Sequence, residues 1–332
     1  MIVRARAPGK VVILGEYIVL SGAPALVMAV ARYARASLEA SGDGRVHVET
    51  RLAQVERAST AAGAPTGVEL IDRACAAVRA APPPWRGALD SGAFFHGGLK
   101  LGLGSSAAAL CAWAGAWAAY CRAHGVPVPG PTAAGLIALH RELQKGAGSG
   151  IDVAASFTGG MVRYAIDSER APQIGSVRMP NGVGFAGIFA GSSASTPGLI
   201  ARYEAWLKGD PASSSLTRTL KGVAQAGCRA ASDGDAAGFL AAVAEYGKGL
   251  EALGRAMGVD LVTAEHRLIG LEARKLGVVY KISGAGGGDL GLALSSQPED
   301  LAAFKARVAD LGFQVVELTM DRQGLVVEEP SE

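Results

Sequence analysis

The sequence predicts an α+β fold in two domains, and three observations predict it. Strand-like segments flank helical ones along the chain, an order that suits an α+β sandwich better than a doubly wound sheet. The 332 residues are enough for two domains, each with its own core. The composition turns polar and Pro/Gly-containing over Asp167–Gly182, which places the division there, with domains at 1–170 and 171–332.

Each element follows from local pattern. "VVILGEYIVL" and "PALVMAVARYARASLEA" read as strands joined by a turn at Gly22–Pro24, and "RVHVETRL" alternates like a half-buried strand. Thr66–Arg79 is a helix ended by the proline-stiffened "APPPWRG". Ala107–Tyr120 is alanine-rich and free of proline, hence helical, and a further helix over Ala133–Lys145 stops at "GAGSG". "MVRYAI" closes the first half as a strand. Beyond the division come strand "GFAGIFAG", helices near 197–208, 213–231, 235–257 and 260–276, strand "VVYKIS", loop "GAGGGD", strand "LGLAL", helix 298–311 and strand "FQVVEL".

Composition excludes several classes. A net charge of +2 argues against a general nucleic-acid or membrane-surface binder, and 6% aromatic content argues against a base-stacking platform. The longest uncharged apolar stretch, Ala107–Cys121, is too short to span a bilayer and reads as a buried helix. Cys75, Cys111, Cys121 and Cys228 form no CxxC pair and have no His at metal-ligand spacing, so reduced thiols in a cytoplasmic protein are expected. "MIVRARAPGK" lacks the apolar core of a signal peptide.

Glycine is the outlier, with 46 residues. Much of it falls in three loops: Ala7–Tyr17 ("APGKVVILGEY"), Gly102–Ala109 ("GLGSSAAA") and Ser283–Asp289 ("SGAGGGD"). The second stands before the alanine-rich helix, where unpaired backbone N–H groups and the helix dipole favour an anion. A capped helix is the plainer reading, a phosphate cradle the sharper one. Gly102–Gly104–Ala107 fits a dinucleotide fingerprint, but no Asp or Glu occurs between Asp90 and Glu142 to bind a ribose. Gly286–Gly288–Gly291 runs into a strand where that fingerprint needs a helix. No Walker string exists, "HREL" at His140–Leu143 lacks the Asp of a protein-kinase catalytic loop, and "GAGSG" is no nucleophile elbow.

"PGKVVILGEY", "GLGSSAA" and "KISGAGGGD", in that order and spanning Pro8–Asp289, resemble the three signature motifs of the GHMP kinases, the superfamily of galactokinase, homoserine kinase, mevalonate kinase and phosphomevalonate kinase. "GEY" at Gly15–Tyr17, "GSGIDVAAS" at Gly148–Ser156, the terminal Asp289 and "SASTPGLI" at Ser193–Ile200 resemble the phosphomevalonate kinase branch most, with mevalonate kinase next. The resemblance implies an N-terminal ATP-binding domain like the second domain of ribosomal protein S5, a ferredoxin-like C-terminal domain and a site between them. It implies a MgATP-dependent phosphotransferase of the mevalonate pathway acting on a small molecule, while the charge and composition lead to the expectation of no nucleic-acid or membrane partner. Phosphomevalonate is the expected acceptor. A mevalonate kinase and a non-catalytic ligand-binding regulator of the same fold are the alternatives, and a homodimer is left open.

By the same resemblance, Lys100, Gly102, Leu103, Gly104, Ser105, Ser106 and Ala107 would bind ATP phosphates, and Ser106 would also reach Mg²⁺. The plain alternative for Ser106 is an N-cap worth about 1 kcal/mol. Lys10 would stabilise charge on the transferring phosphoryl. Asp152 would take a proton from a hydroxyl acceptor, or orient Lys10 where the acceptor is already a dianion. Lys10, Glu16, Tyr17, Ser149, Asp152, Ser283, Gly284, Ala285 and Gly286 would line the acceptor side. For Mg²⁺ ligation, mevalonate kinases place a Glu eleven residues before the aspartate, for which Glu142 is the nearest candidate metal ligand here. Arg141 stands there in this chain, and Glu142, one step off, faces another side of the helix. Lys100, Arg141, Lys145 and Lys281 are the cations at hand for an acceptor phosphate, and Asp90–Phe95 ("DSGAFF") is the expected adenine side.

Overall fold

The computed structural model describes residues 1–332 apart from 52–54, 79–80, 147, 168, 170, 192–195, 211–212 and 332. Ser193–Ser195, the start of the "SASTPGLI" stretch, thus lie outside the described residues. The first half contains β1 (Ile2–Leu14), β2 (Ala25–Ala40), β3 (Arg45–Arg51), β4 (Val55–Ala61), α1 (Glu69–Val78), β5 (Trp85–Asp90), the short hairpin β6 (Phe95–His96) and β7 (Leu99–Lys100), then α2 (Ser105–Ala123), α3 (Ala133–Leu143), α4 (Ile151–Thr158), β8 (Met161–Ile166) and β9 (Pro172–Val177). The second contains β10 (Gly184–Phe189), α5 (Thr196–Gly209), α6 (Ser213–Asp233), α7 (Ala236–Met257), α8 (Ala264–Lys275), β11 (Val279–Ile282), β12 (Leu290–Ser295), α9 (Pro298–Asp310), β13 (Gln314–Val316) and β14 (Val326–Ser331).

Two main sheets result. The larger, of eight strands, runs β14-β1-β2-β5-β3-β4, with β8 on the other half of the long β2 and β9 beside β8. The smaller runs β11-β12-β10-β13, antiparallel throughout. That is the β-α-β-β-α-β order of a ferredoxin-like unit, with extra helices in its first crossover. The sheets do not divide at one point in the chain. β9 lies beyond residue 170 in the larger sheet, and β14 returns from the far end to pair with β1.

The core explains the layering. Successive residues of the small sheet face opposite sides, as the two-residue strand period requires. Ile188 and Ala293 pack with Ile269, Phe304 and Val308 of α8 and α9. Phe189, Leu292 and Leu294 instead join the main core, which continues through α6 and α7 into the large sheet. Helix α2 is buried along nearly its whole length, including Trp113 and Tyr120, which accounts for its unbroken run of small and apolar residues. All four cysteines are free. Among the described residues, no helix is long and apolar enough to cross a membrane.

The sequence reading differs from this structure in places. "VVILGEYIVL" is not one strand: β1 begins at Ile2 and ends at Leu14, and Ile18–Ser21 is a 3₁₀ turn. The break falls at Gly15, whose φ of 101° suits glycine and where a Cβ would lie 2.4 Å from the Ala25 Cβ. β4, β5, β9 and β14 fall in segments with no strand expectation.

Candidate active site

Three glycine loops far apart in sequence meet at one cleft of about 440 Å³ between the sheets. β1 brings Lys10 to its floor. The pairing of β1 with β2 shifts between Pro8 and Gly9, and just beyond this irregularity the Lys10 N–H donates to the Leu103 carbonyl at 2.8 Å. The strand is thereby tied to the second glycine loop. Lys10 is only 5% exposed, with Nζ 3.3 Å from the Gly102 carbonyl and 3.6 Å from Asp152 Oδ1. Gly104 is left-handed, and a Cβ there would lie 3.0 Å from both Cγ and Cε of Lys10. The glycine therefore makes room for the lysine.

Two helices begin at this point. α2 starts after Gly104 and presents the Ser106 hydroxyl; α4 starts after Gly150 with Asp152 in its first turn. Both N-termini bring unpaired N–H groups and positive dipole ends to the cleft. Ser149, just before α4, is held through its carbonyl by Arg141 Nη2 at 2.8 Å and by the Tyr164 hydroxyl at 2.6 Å.

The Gly15–Tyr17 turn is fixed by residues from the second half of the chain. Glu16 forms a buried ion pair with Lys281 and lies 3.4 Å from the Gly284 N–H, while its own carbonyl accepts from the Tyr246 hydroxyl at 2.7 Å. The Tyr17 hydroxyl donates to the Ala285 carbonyl. Ser283 Oγ both accepts from the Val12 N–H at 2.8 Å and donates to its carbonyl. Tyr17 has φ 66°, a strained conformation for a bulky residue that these contacts over-determine. Burial pushes the Tyr17 phenol upward and lowers Lys281, which Glu16 counteracts.

Of the residues expected from sequence, Lys10, Glu16, Tyr17, Lys100, Gly102, Gly104, Ser106, Ser149, Asp152, Ser283, Gly284 and Ala285 line the cleft together. Leu103, Ser105 and Ala107 are buried behind it. Gly286 packs against Leu261 and Ile282 instead. Glu142 does not reach the cleft: it is exposed and pairs with Arg73 at 3.7 Å. Among the suggested phosphate cations, Lys281 is spent on Glu16, Arg141 holds Ser149, and Lys145 is exposed outside the cleft lining, which leaves Lys100. Phe94 of the expected adenine side is fully buried, against the space of a Gly9 Cβ.

Three polar side chains of the cleft lining were missed. His140, on α3, is 3% exposed with Nε2 3.2 Å from Ser106 Oγ, and burial holds its pKa below the ordinary imidazole value, against the raising effect of Asp152. Gln144 lies one helical turn on, and that i, i+4 spacing from His140 was the available signal. Asp289, read only as a family mark, packs against Gly102, so a carboxylate does approach the glycine loop despite the uncharged stretch around it.

No protein-family model matches the chain. It is 27% identical over 368 residues to the phosphomevalonate kinase of Streptomyces sp. strain CL190, covering 96% of this chain and 97% of that protein. It is 29% identical over 164 residues to the mevalonate kinase of Aeropyrum pernix, a match covering 48% of this chain and only half the relative's length. The solved Streptococcus pneumoniae phosphomevalonate kinase, in complex with phosphomevalonate and AMPPNP, superposes with a TM-score of 0.78 at 21% identity, covering 96% and 99% of the two chains. With the three motif loops converging on one cleft, the chain has the two-domain fold of the GHMP kinase superfamily. Within that superfamily its likeness is to the mevalonate-pathway kinases, running along nearly the whole chain for phosphomevalonate kinase.

Proposed function

We propose that this protein transfers the γ-phosphoryl group of ATP to (R)-5-phosphomevalonate, giving the 5-diphosphate and ADP. The observation that carries the transfer is the buried Lys10 ammonium, set between the Gly102 carbonyl and Asp152 at the mouths of two helix N-termini. The second glycine loop and α2 bind the triphosphate through backbone N–H groups. Lys10 meets the charge that develops on the transferring phosphoryl, where a preorganised donor contributes most. Asp152 holds Lys10 in place. A phosphomonoester acceptor is largely dianionic at neutral pH, so it attacks without surrendering a proton to Asp152. Val12, Val19, Leu20 and Ile200 give the acceptor side an apolar wall.

The donor set fits Mg²⁺ carried in on the nucleotide. Ser106 offers a hard oxygen beside the phosphate loop, and among the described residues no cluster of three His, Cys, Asp or Glu could hold a metal by itself. Ser106 would hold the ion, which neutralises phosphate charge when bound.

The full-length likeness to a phosphomevalonate kinase supports the choice of acceptor. One observation favours mevalonate instead: among the described residues lining the cleft, Lys10 and Lys100 are the only Lys or Arg side chains. ADP release with ATP and each acceptor in parallel separates the two. Phosphomevalonate should be turned over faster, with kcat/KM falling as the acceptor protonates below about pH 6. Faster turnover of mevalonate would overturn the assignment.

A further inference from the structure

Three consecutive residues of α3 point in three directions. Arg141 turns to the Ser149 carbonyl, Glu142 to Arg73 at the surface, and His140 to the Ser106 hydroxyl. The helix thus offers the phosphate side of the cleft a buried imidazole and no carboxylate. Ser106 is exposed to the cleft, while His140 beneath it is 97% enclosed and 3.2 Å away.

A serine hydroxyl has one proton and two lone pairs. If the proton points into the cleft, it faces any cation there. If it is directed to His140, both lone pairs remain for the ligand. We propose that His140 is a positioning residue: its Nε2 accepts the hydrogen bond from Ser106 and so turns the serine lone pairs toward the metal–nucleotide. The inference rests on the reading of the site as one for MgATP. The role resembles that of partners behind a metal ligand, whose loss typically lowers metal affinity about 10–100-fold.

Calorimetric binding of AMPPNP, with Mg²⁺ and with chelator, tests this in the wild type, His140→Leu, His140→Gln and Ser106→Ala. His140→Leu should reduce the Mg²⁺-dependent gain in affinity about 10–100-fold and leave metal-free binding unchanged. Gln, whose amide oxygen can accept where Nε2 does, should restore most of the gain. Ser106→Ala should lose the same increment, and adding His140→Gln to it should change nothing more. That pair keeps the test intact if His140→Leu does not fold. A full Mg²⁺-dependent gain in His140→Leu, an equal loss with and without metal, or no rescue by Gln would overturn the proposal. A wild type that binds no AMPPNP would instead sink the kinase reading itself.

Discussion

Replacing Lys10 with Met should separate catalysis from stability. Lys10 is 5% exposed, and its carboxylate partner Asp152 is 3.6 Å away. At an effective dielectric of about 20 that attraction is roughly 4–5 kcal/mol. Desolvating an ammonium costs several kcal/mol after relaxation, so the two nearly cancel. Lys281, fully buried nearby, adds repulsion, since Lys10 is among the groups lowering its pKa. Met fills nearly the same volume without the charge. The melting temperature should therefore stay within about 3 °C of wild type, as a change near 1 kcal/mol implies for a chain of this size. Turnover should fall about 10²–10³-fold, the usual loss when a preorganised charge-stabilising donor is removed. ADP release and thermal denaturation on the same preparation decide it. Turnover within tenfold of wild type, or a loss of activity tracking a loss of folded protein, would refute the reasoning.

Gly104→Val places a β-branched side chain at φ 78° and against the Lys10 methylenes, so nucleotide binding should be abolished with the fold retained; normal calorimetric affinity would place the cradle elsewhere. Lys281→Met leaves Glu16 buried without its cation and should cost about 3–5 kcal/mol, and adding Glu16→Gln should recover much of it in denaturant titrations. His266 is buried with Nδ1 2.7 Å from the Tyr280 hydroxyl, and burial pushes its pKa down to about 4. Between its ordinary value near 6.5 and 4, the unfolded chain binds a proton that the folded chain does not, so stability should fall by about 3 kcal/mol as pH drops through that window. His266→Gln should flatten that part of the stability–pH curve.

The parts of the molecule legible in the sequence are those that local chemistry dictates. Helix α2 was evident because its burial on all sides demands small apolar residues throughout. The glycine loops were evident because Gly15, Gly102 and Gly104 occupy left-handed positions where the chain passes close to Ala25, Asp289 and Lys10. β5 was hidden by the prolines before it, which read as a loop although Trp85 starts a strand. β9 and β14 were hidden because they lie at the margin of the sheet, where "PQIGSV" and "VVEEPS" need no apolar run. The commitments of Arg141 and Lys281 were not legible. Lys281 reads as an available cation, yet its partner Glu16 lies 265 residues away, and only the tertiary fold shows that its charge is already committed.

That commitment bears on how the site is built. β1, the second glycine loop and the starts of α2 and α4, all from the first half of the chain, form one side of the cleft. The other side is shared between the two halves, because the Gly15–Tyr17 turn is gripped by Lys281, Gly284 and Ala285 on one flank and by Tyr246 on another. A strained Tyr17 and a buried ion pair are both costly on their own. Each is held by contacts that exist only when the two sheets are together. The geometry of that turn therefore depends on the two sheets staying docked, and the continuous apolar core from the large sheet through α7 to Leu292 supplies that docking.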